Sequence, residues 1–524
     1  MQNNKLKIWL PLYISLAMIA GMFIGYRVKD NIPGKGFFGI EKPDYLKEVI
    51  DLIDSRYVDT VQLTPLADSA ILNILSKLDP HSAYIPAKEL EDVNNDINGS
   101  FVGIGVEFEF YDDTVNITRI IENGPAATAG LQKDDQIIKV NSRKITGKSL
   151  NTDSIRSIIR GLPNTKIILD IIRNNKPLTL TLTRNVIPVN SVDAYYMVDS
   201  MTGYMKITRF SANTYSDFMM ALLDLKKKGL QQLILDLRNN GGGVLDEAVE
   251  IADEFLEGDK LITYTEGRKS PKKEYRCRRT GQFEKGKLIL LTNDASASAS
   301  EILAGALQEW GRATIVGNRT FGKGLVQEQY DLSNGAAIRL TIARYFTPSG
   351  RCIQRSYSNG IQAYYEDALN PENFNDTKVD SSKAFKTPTG KIVYDGGGIS
   401  PDIALKNDSL LFDEASNLLM ESGTLSRFAY YFYKNNHHQL MSWKDAYSFF
   451  DQFHLSQKDW NELQQFAKSD SLPIKNFSLQ AIPFSEDFVK LAFIRYQWGN
   501  TFYTACANKK DNCFKLATSF LNKK

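Results

Sequence analysis

The sequence predicts a multidomain α/β protein: a layered α/β core, a β-rich domain inserted ahead of it, and helical regions at both ends. Three observations carry that prediction. Leu233–Leu237 is almost wholly apolar, as a strand covered on both faces should be, and it lies between two helical stretches, Tyr215–Lys228 and Val244–Leu256. Residues 99–184 consist of short apolar runs broken by Gly, Asn and Asp, the pattern of strands and turns. From Ser409 onward the chain reads as helical and rich in aromatic residues. The length of 524 residues suits about three or four domains.

Taken in order, Ile8–Tyr26 is a 19-residue stretch without a charge, just long enough to cross a bilayer core at about 1.5 Å per residue. Lys5 and Lys7 precede it and favour a cytoplasmic N-terminus, although Arg27 and Lys29 follow. A cleaved signal peptide is the rival reading. It wants small residues at −3 and −1, and a cut after Ala20 puts Met18 at −3. Residues 1–30 are thus expected to anchor or target the chain. The bulk would stand outside the cytoplasm, in the cell envelope on the periplasmic side of the inner membrane. Residues 31–43 read as a linker. Leu46, Val49, Ile50 and Ile53 recur at helical spacing, and Thr64-Pro65 opens a second helix that stops at Asp79-Pro80, so residues 40–98 are expected to form a helical cap.

Residues 99–185 should hold strands at Phe101–Phe108, Val115–Ile121, Lys166–Arg173 and Pro177–Arg184, with a helix at Leu150–Gly161. This order, with Pro125-Ala-Ala-Thr-Ala-Gly-Leu131 and Asp135-Gln-Ile-Ile-Lys-Val-Asn141, resembles a PDZ domain of the kind found inside bacterial proteases. The resemblance implies a groove for a peptide C-terminus. Its carboxylate needs a concave set of backbone N–H donors, and Gly103-Ile104-Gly105-Val106 is the candidate loop. The plain alternative is a twisted strand with glycines at a bulge. Arg160, at the end of the helix, is either a sensor of bound peptide or a solvated charge.

Residues 186–408 form the expected α/β core, with further strands at Gly203–Ile207, Lys287–Thr292, Leu325–Tyr330 and Ala336–Tyr345. Ser333-Asn334-Gly335 marks a tight hairpin between the last two. Residues 355–398 are polar and aperiodic and read as a surface insertion. Residues 409–524 form a helical domain whose aromatic stripe reads as core or partner surface.

Two segments could carry chemistry. Ala295-Ser-Ala-Ser-Ala-Ser-Glu301 sets three serines just before a helix, where N–H groups and the positive helix end could stabilise an oxyanion. Ser298-Ala-Ser-Glu301 also reads as a capping box. Phe321-Gly-Lys-Gly-Leu-Val-Gln327 enters a strand, whose alternation would place Lys323, Leu325 and Gln327 on one face. To act as a base near neutral pH, a lysine must fall from ~10.4 to ~7–8, a shift that burial can supply. Spacing alone does not separate Ser298 from Ser296 or Ser300.

Those segments, together with Asp236-Leu-Arg-Asn-Asn-Gly-Gly-Gly243 and Leu78-Asp-Pro-His-Ser82, resemble the C-terminal-processing (tail-specific) peptidases over about residues 45–408. These are PDZ-containing serine endopeptidases with a Ser/Lys dyad and a crotonase/ClpP-like layered α/β core. The resemblance implies Ser298 as nucleophile, Lys323 as general base 25 residues on, and Gln327 as its orienting residue 4 further. It also implies the backbone N–H groups of Ala299 and of one glycine in 241–243, taken as Gly242, as oxyanion donors. His81 is read as structural.

Composition limits the alternatives. With 63 basic and 61 acidic residues the net charge is +2, which argues against coating nucleic acid. There are only four His, with no H-E-x-x-H, and the four Cys form no C-x-x-C pair, so no metal and no cofactor is expected. Expected partners are proteins with accessible C-terminal tails, the membrane, and an envelope adaptor; a homo-oligomer is compatible with the sequence. A non-catalytic PDZ scaffold and a crotonase-like acyl-CoA enzyme are the competing functions.

Overall fold

The computed structural model describes residues 15, 18, 45–147, 151–369, 384–395, 397–405, 414–474 and 481–522. The expected membrane segment, apart from Ser15 and Met18, lies outside the described residues, as do the linker at 31–43 and residues 370–383 of the polar insertion. Among the described residues no helix is long and apolar enough to cross a membrane.

The chain divides into two compact units, Met1–Ile71 and Leu72–Lys524. In the first, the helix Tyr45–Arg56 has no buried residue. The second is built on a six-stranded sheet in the order 192–197, 202–207, 232–236, 287–292, 314–317, 403–404. The first pair is antiparallel and every later pair parallel. Strand alternation gives this sheet two apolar faces. Met205, Leu233, Leu235 and Leu290 point to one, where they pack with the helices Thr214–Lys227, Leu245–Asp253 and Ala299–Glu309. Tyr204, Ile234, Ile289 and Val316 point to the other, where they pack with Phe514, Ala517 and Leu521 of the helix Asn512–Leu521.

A second sheet is centred on strand Ala337–Phe346, which pairs with Leu325–Asp331, Leu261–Glu266 and Ala83–Ile85. The last is a departure from the helical cap expected over 40–98: three residues are too few to show a period, yet they extend the core sheet.

The β-rich domain is a sheet in the order 106–111, 114–120, 136–140, 166–173, 176–183. The single strand expected over 101–108 is two. Ser100–Gly103 pairs with Asn185–Pro188, closing a neck where the domain leaves and rejoins the core, and Val106–Tyr111 enters the sheet. The break falls at Gly105, whose φ of +77° favours glycine.

The C-terminal helices enclose an aromatic core that includes Phe428, Phe432, Phe449 and Phe493. Tyr430 and Tyr431 also pack on Tyr111 of the β-rich domain, and Tyr496 Oη donates to Glu109 at 3.1 Å. All four cysteines are free thiols.

Candidate active site

The three serines of 295–301 have different surroundings. Ser296 is fully buried and donates to Leu237 O at 2.8 Å; Ser300 is buried and donates to Asn240 O at 2.9 Å. Both hydroxyls fasten the loop to the glycine-rich turn after strand Gln232–Asp236. Ser298 alone lines the open cleft, a cavity of about 400 Å³ shared with Gly241–Gly243, Lys323, Gln327, Arg339 and Tyr345. It caps the helix Ala299–Glu309 with φ +55° and ψ −115°, a conformation rare for a residue with a Cβ.

What holds Ser298 there is Glu301, one turn into the helix. The capping box is present: the Ser298 N–H donates to Glu301 Oε2 at 2.8 Å. The same carboxylate, wholly buried, accepts the N–H groups of Gly322 at 2.7 Å and Lys323 at 2.9 Å and the hydroxyl of Thr320 at 2.5 Å. One side chain therefore ties the serine to the backbone that carries the lysine. Burial pushes the Glu301 carboxyl above its usual range, while its four donors oppose that shift. Tyr345 adds a second tie, donating to Lys323 O at 2.6 Å and Ser298 O at 3.2 Å.

Lys323 lies in the irregular stretch before strand Leu325–Asp331, so strand alternation is not what aligns it with Gln327; the register also shifts between Val326 and Gln327. The two still meet. Lys323 Nζ donates to Gln327 Oε1 at 3.1 Å, and the Gln327 amide N–H donates to the backbone oxygen of His81. Burial lowers the lysine pKa, Arg339 lowers it further, and Glu301 and Asp79 oppose. In this conformation no hydrogen bond joins Lys323 Nζ to Ser298 Oγ.

The sequence reading of His81 as structural leaves out its carbonyl, which orients Gln327. Asp79 fixes that carbonyl by accepting the N–H groups of His81 and Ser82, each at 2.8 Å, and the Ser82 hydroxyl at 2.6 Å. The imidazole contacts Tyr364 Oη at 3.0 Å and is held neutral, its pKa lowered to about 4 by burial first and by Lys323 second. Tyr364 is buried although it lies in the stretch expected to be a surface insertion, where the mostly polar residues show no steady period.

The choice of Gly242 as an oxyanion donor needs correction. Its N–H donates to Asn240 Oδ1 at 2.9 Å and is not offered to the cleft. A Cβ there would stand 2.7 Å from Ser298 Cβ and 2.8 Å from Ala299 N, so the position needs glycine for close approach. Gly243 bridges Phe210 through its neighbours: Phe210 N donates to Gly242 O, and Val244 N to Phe210 O. The Gly243 N–H has no backbone acceptor among the described residues, and neither does that of Ala299.

Asp236 and Arg238 of the same motif do structural work. Asp236 is wholly buried and pairs with Arg238, whose other end reaches Asp511 at 2.6 Å.

In the β-rich domain, the N–H groups of Ile104 and Gly105 have no backbone acceptor among the described residues, while their carbonyls accept from Ala126 and Ile121 at 2.8 and 3.0 Å. Arg160 is not merely solvated. It pairs with Asp92 at 2.9 Å, on the helix Ala87–Asn98 that also brings Ile97 to the cleft, and it stacks over Phe101.

The profile of peptidase family S41 matches residues 201–366, and that of the PDZ domain matches residues 102–183. The chain is 37% identical over 314 residues to the carboxy-terminal-processing protease of Bartonella bacilliformis, covering 59% of this chain and 71% of that one. It is 30% identical over 362 residues to a probable CtpA-like serine protease of Staphylococcus epidermidis, covering 67% and 72%. Among solved structures, the photosystem II D1 C-terminal processing protease is 25% identical with a TM-score of 0.37, covering 71% of this chain and 96% of that one. The chain therefore belongs to the carboxy-terminal-processing proteases of peptidase family S41 and carries a PDZ domain.

Proposed function

We propose that the protein is a serine endopeptidase of the cell envelope that hydrolyses proteins selected by their C-terminal tails, with Ser298 as nucleophile and Lys323 as general base. One observation carries the reading: of three neighbouring serines, the one left unburied shares a cleft with a lysine whose pKa is lowered. Neutral Lys323 takes the Ser298 proton as Oγ bonds to the scissile carbonyl carbon. The oxyanion is held by the N–H groups of Ala299 and Gly243. The C–N bond breaks as the lysine returns its proton to the leaving amine, and water, deprotonated in turn by the lysine, releases the acyl group. The lysine must turn from Gln327 toward Ser298, a contact that catalytic groups often tighten only with substrate bound.

The PDZ groove recruits and gates the substrate. A tail carboxylate on the Ile104 and Gly105 N–H groups would bear on Arg160, hence on Asp92 and the helix that lines the cleft, shifting a population between two arrangements of Lys323. The uncharged Ile8–Tyr26 stretch supports an anchored, extracytoplasmic location. Incubation with an unfolded protein ending in an apolar tail, with cut sites read by mass spectrometry, tests the chemistry. Cleavage lost in both Ser298→Ala and Lys323→Ala is expected; both variants cutting as fast as wild type would refute the dyad.

A further inference from the structure

Among the described residues, those lining the cleft include two cations, Lys323 and Arg339, and no carboxylate. Asp79 and Glu301 act on the lysine from behind the cleft wall, and both are buried within their own hydrogen-bond sets. Arg339 lies on strand Ala337–Phe346, in register with Gln329 on one neighbouring strand and Ala83 on the other. Among the described residues its one side-chain hydrogen bond goes to a neutral group, Gln329 Oε1, at 3.3 Å. Gln329 is itself held by Asn94 at 3.1 Å, so the amide that aims the guanidinium is fixed. No acidic side chain pairs with Arg339 among the described residues.

A guanidinium has five N–H donors and cannot shed its charge in a protein. Keeping one partly buried with a single neutral partner is costly, unless an anion arrives from outside. The planar fork matches a carboxylate in two parallel hydrogen bonds, which a lone ammonium cannot copy. The dyad requires Lys323 to be uncharged while it acts, which leaves Arg339 as the standing charge of the cleft. The remaining lining is largely apolar, including Ile97, Val244, Leu245, Ile302 and Leu325, so the arginine is the feature best able to discriminate one bound segment from another.

We propose that Arg339 is a specificity-determining residue that takes a carboxylate of the substrate segment lying in the cleft, so that cleavage favours segments with an acidic group beside the scissile bond. The reading builds on the proposed peptidase function. The carboxylate comes either from an Asp or Glu side chain or from the end of a chain. Both offer the same two oxygens, and the arms of the test tell them apart.

The full chain carrying Ser298→Ala, which binds without cutting, is titrated with fixed-length peptides that differ only by Glu against Gln at one internal position, and with pairs that end in a free acid or an amide. The same titrations follow with Arg339→Gln and Arg339→Lys added. Binding favoured by about 10- to 100-fold for the carboxylate member, lost in Arg339→Gln and partly restored in Arg339→Lys, is the expected result. The internal pair responding identifies a side chain; the terminal pair identifies a chain end. A preference for acid over amide that survives Arg339→Gln belongs to the PDZ groove and, with no effect on the internal pair, overturns the proposal. So does equal binding of every pair. In parallel, wild type and Arg339→Gln digest an unfolded protein. Cut sites enriched in Asp and Glu for wild type alone support the assignment, and identical side-chain frequencies overturn it. A wild type that binds with Arg339-dependent preference but never cuts refutes the peptidase reading and leaves the carboxylate site standing.

Discussion

The two faces of the six-stranded sheet are made by the same strands and sealed by different kinds of helix. On one face each covering helix follows a strand of the sheet, and Ser298 and the glycine-rich loop lie just ahead of two of them. On the other, the cover is the helix Asn512–Leu521, which arrives from the end of the chain and brings no reacting group. Its docking is nevertheless specified: Asp511 caps it by accepting the Phe514 N–H at 2.7 Å and pairs with Arg238, next to buried Asp236. The contrast separates two tasks that one sheet performs. The proposed chemistry gathers at strand ends near sequence-local loops, whereas the far face needs only apolar volume and one oriented ion pair.

Substitutions can break that contrast or sharpen it. The largest effect belongs to the reacting face: Ser298→Ala and Lys323→Ala should each lower kcat/KM by about a thousandfold or more, without lowering the thermal midpoint. Next comes the far face. Phe514→Ala opens a cavity under the sheet and should cost about 3 kcal/mol in denaturant unfolding, while the folded fraction keeps its kcat/KM. A comparable loss of turnover would mean that the two faces are coupled. Asp511→Ala removes a cap and leaves Arg238 less well paired, for about 1–2 kcal/mol, again with activity per folded molecule preserved.

Smaller effects come from two partly buried titrating groups. The folded pKa of His81, about 4, lies below its ordinary 6.5, so the folded form binds fewer protons between those values. The stability this contributes is present above pH 6.5 and is lost as pH falls toward about 4. His81→Phe should flatten that part of a plot of midpoint against pH. The folded pKa of Lys323 is also lowered, so its burial costs stability while the unfolded lysine is charged. Lys323→Met should raise the midpoint at neutral pH, by less as pH nears 10.5, where the unfolded lysine sheds its proton.

Much of this was legible in the sequence because local motifs and local covers coincide on the reacting face. The apolar run at 233–237, the serine loop and the Lys323–Gln327 stretch each announce themselves within a few residues. What was hidden depends on distant pairing. The His81 carbonyl that aims Gln327 is 246 residues away, and backbone groups carry no sequence signal. Arg339 reads as an ordinary strand cation until the sheet turns it into the cleft, and Tyr364 sits in a stretch with no period. Gly242 was expected as an oxyanion donor, but its N–H goes to Asn240, and close packing against Ser298 is what the position asks of it. The docking of the last helix could not be read at all, since Asp511 and Arg238 are 273 residues apart.

The central claim, that Lys323 works as an uncharged base on Ser298, is tested most directly by kcat/KM against pH, from about 5 to about 11, on one peptide that the wild type cuts. The groups facing this amine are Arg339 from the hairpin strand, Glu301 from the serine helix, and Asp79 and His81 from the turn before Ala83. The rate should fall on the acid side through one ionisation with its midpoint well below the ~10.4 of a free lysine, and Arg339→Gln should move that midpoint upward. A midpoint at the ordinary lysine value, unmoved by Arg339→Gln, would contradict it.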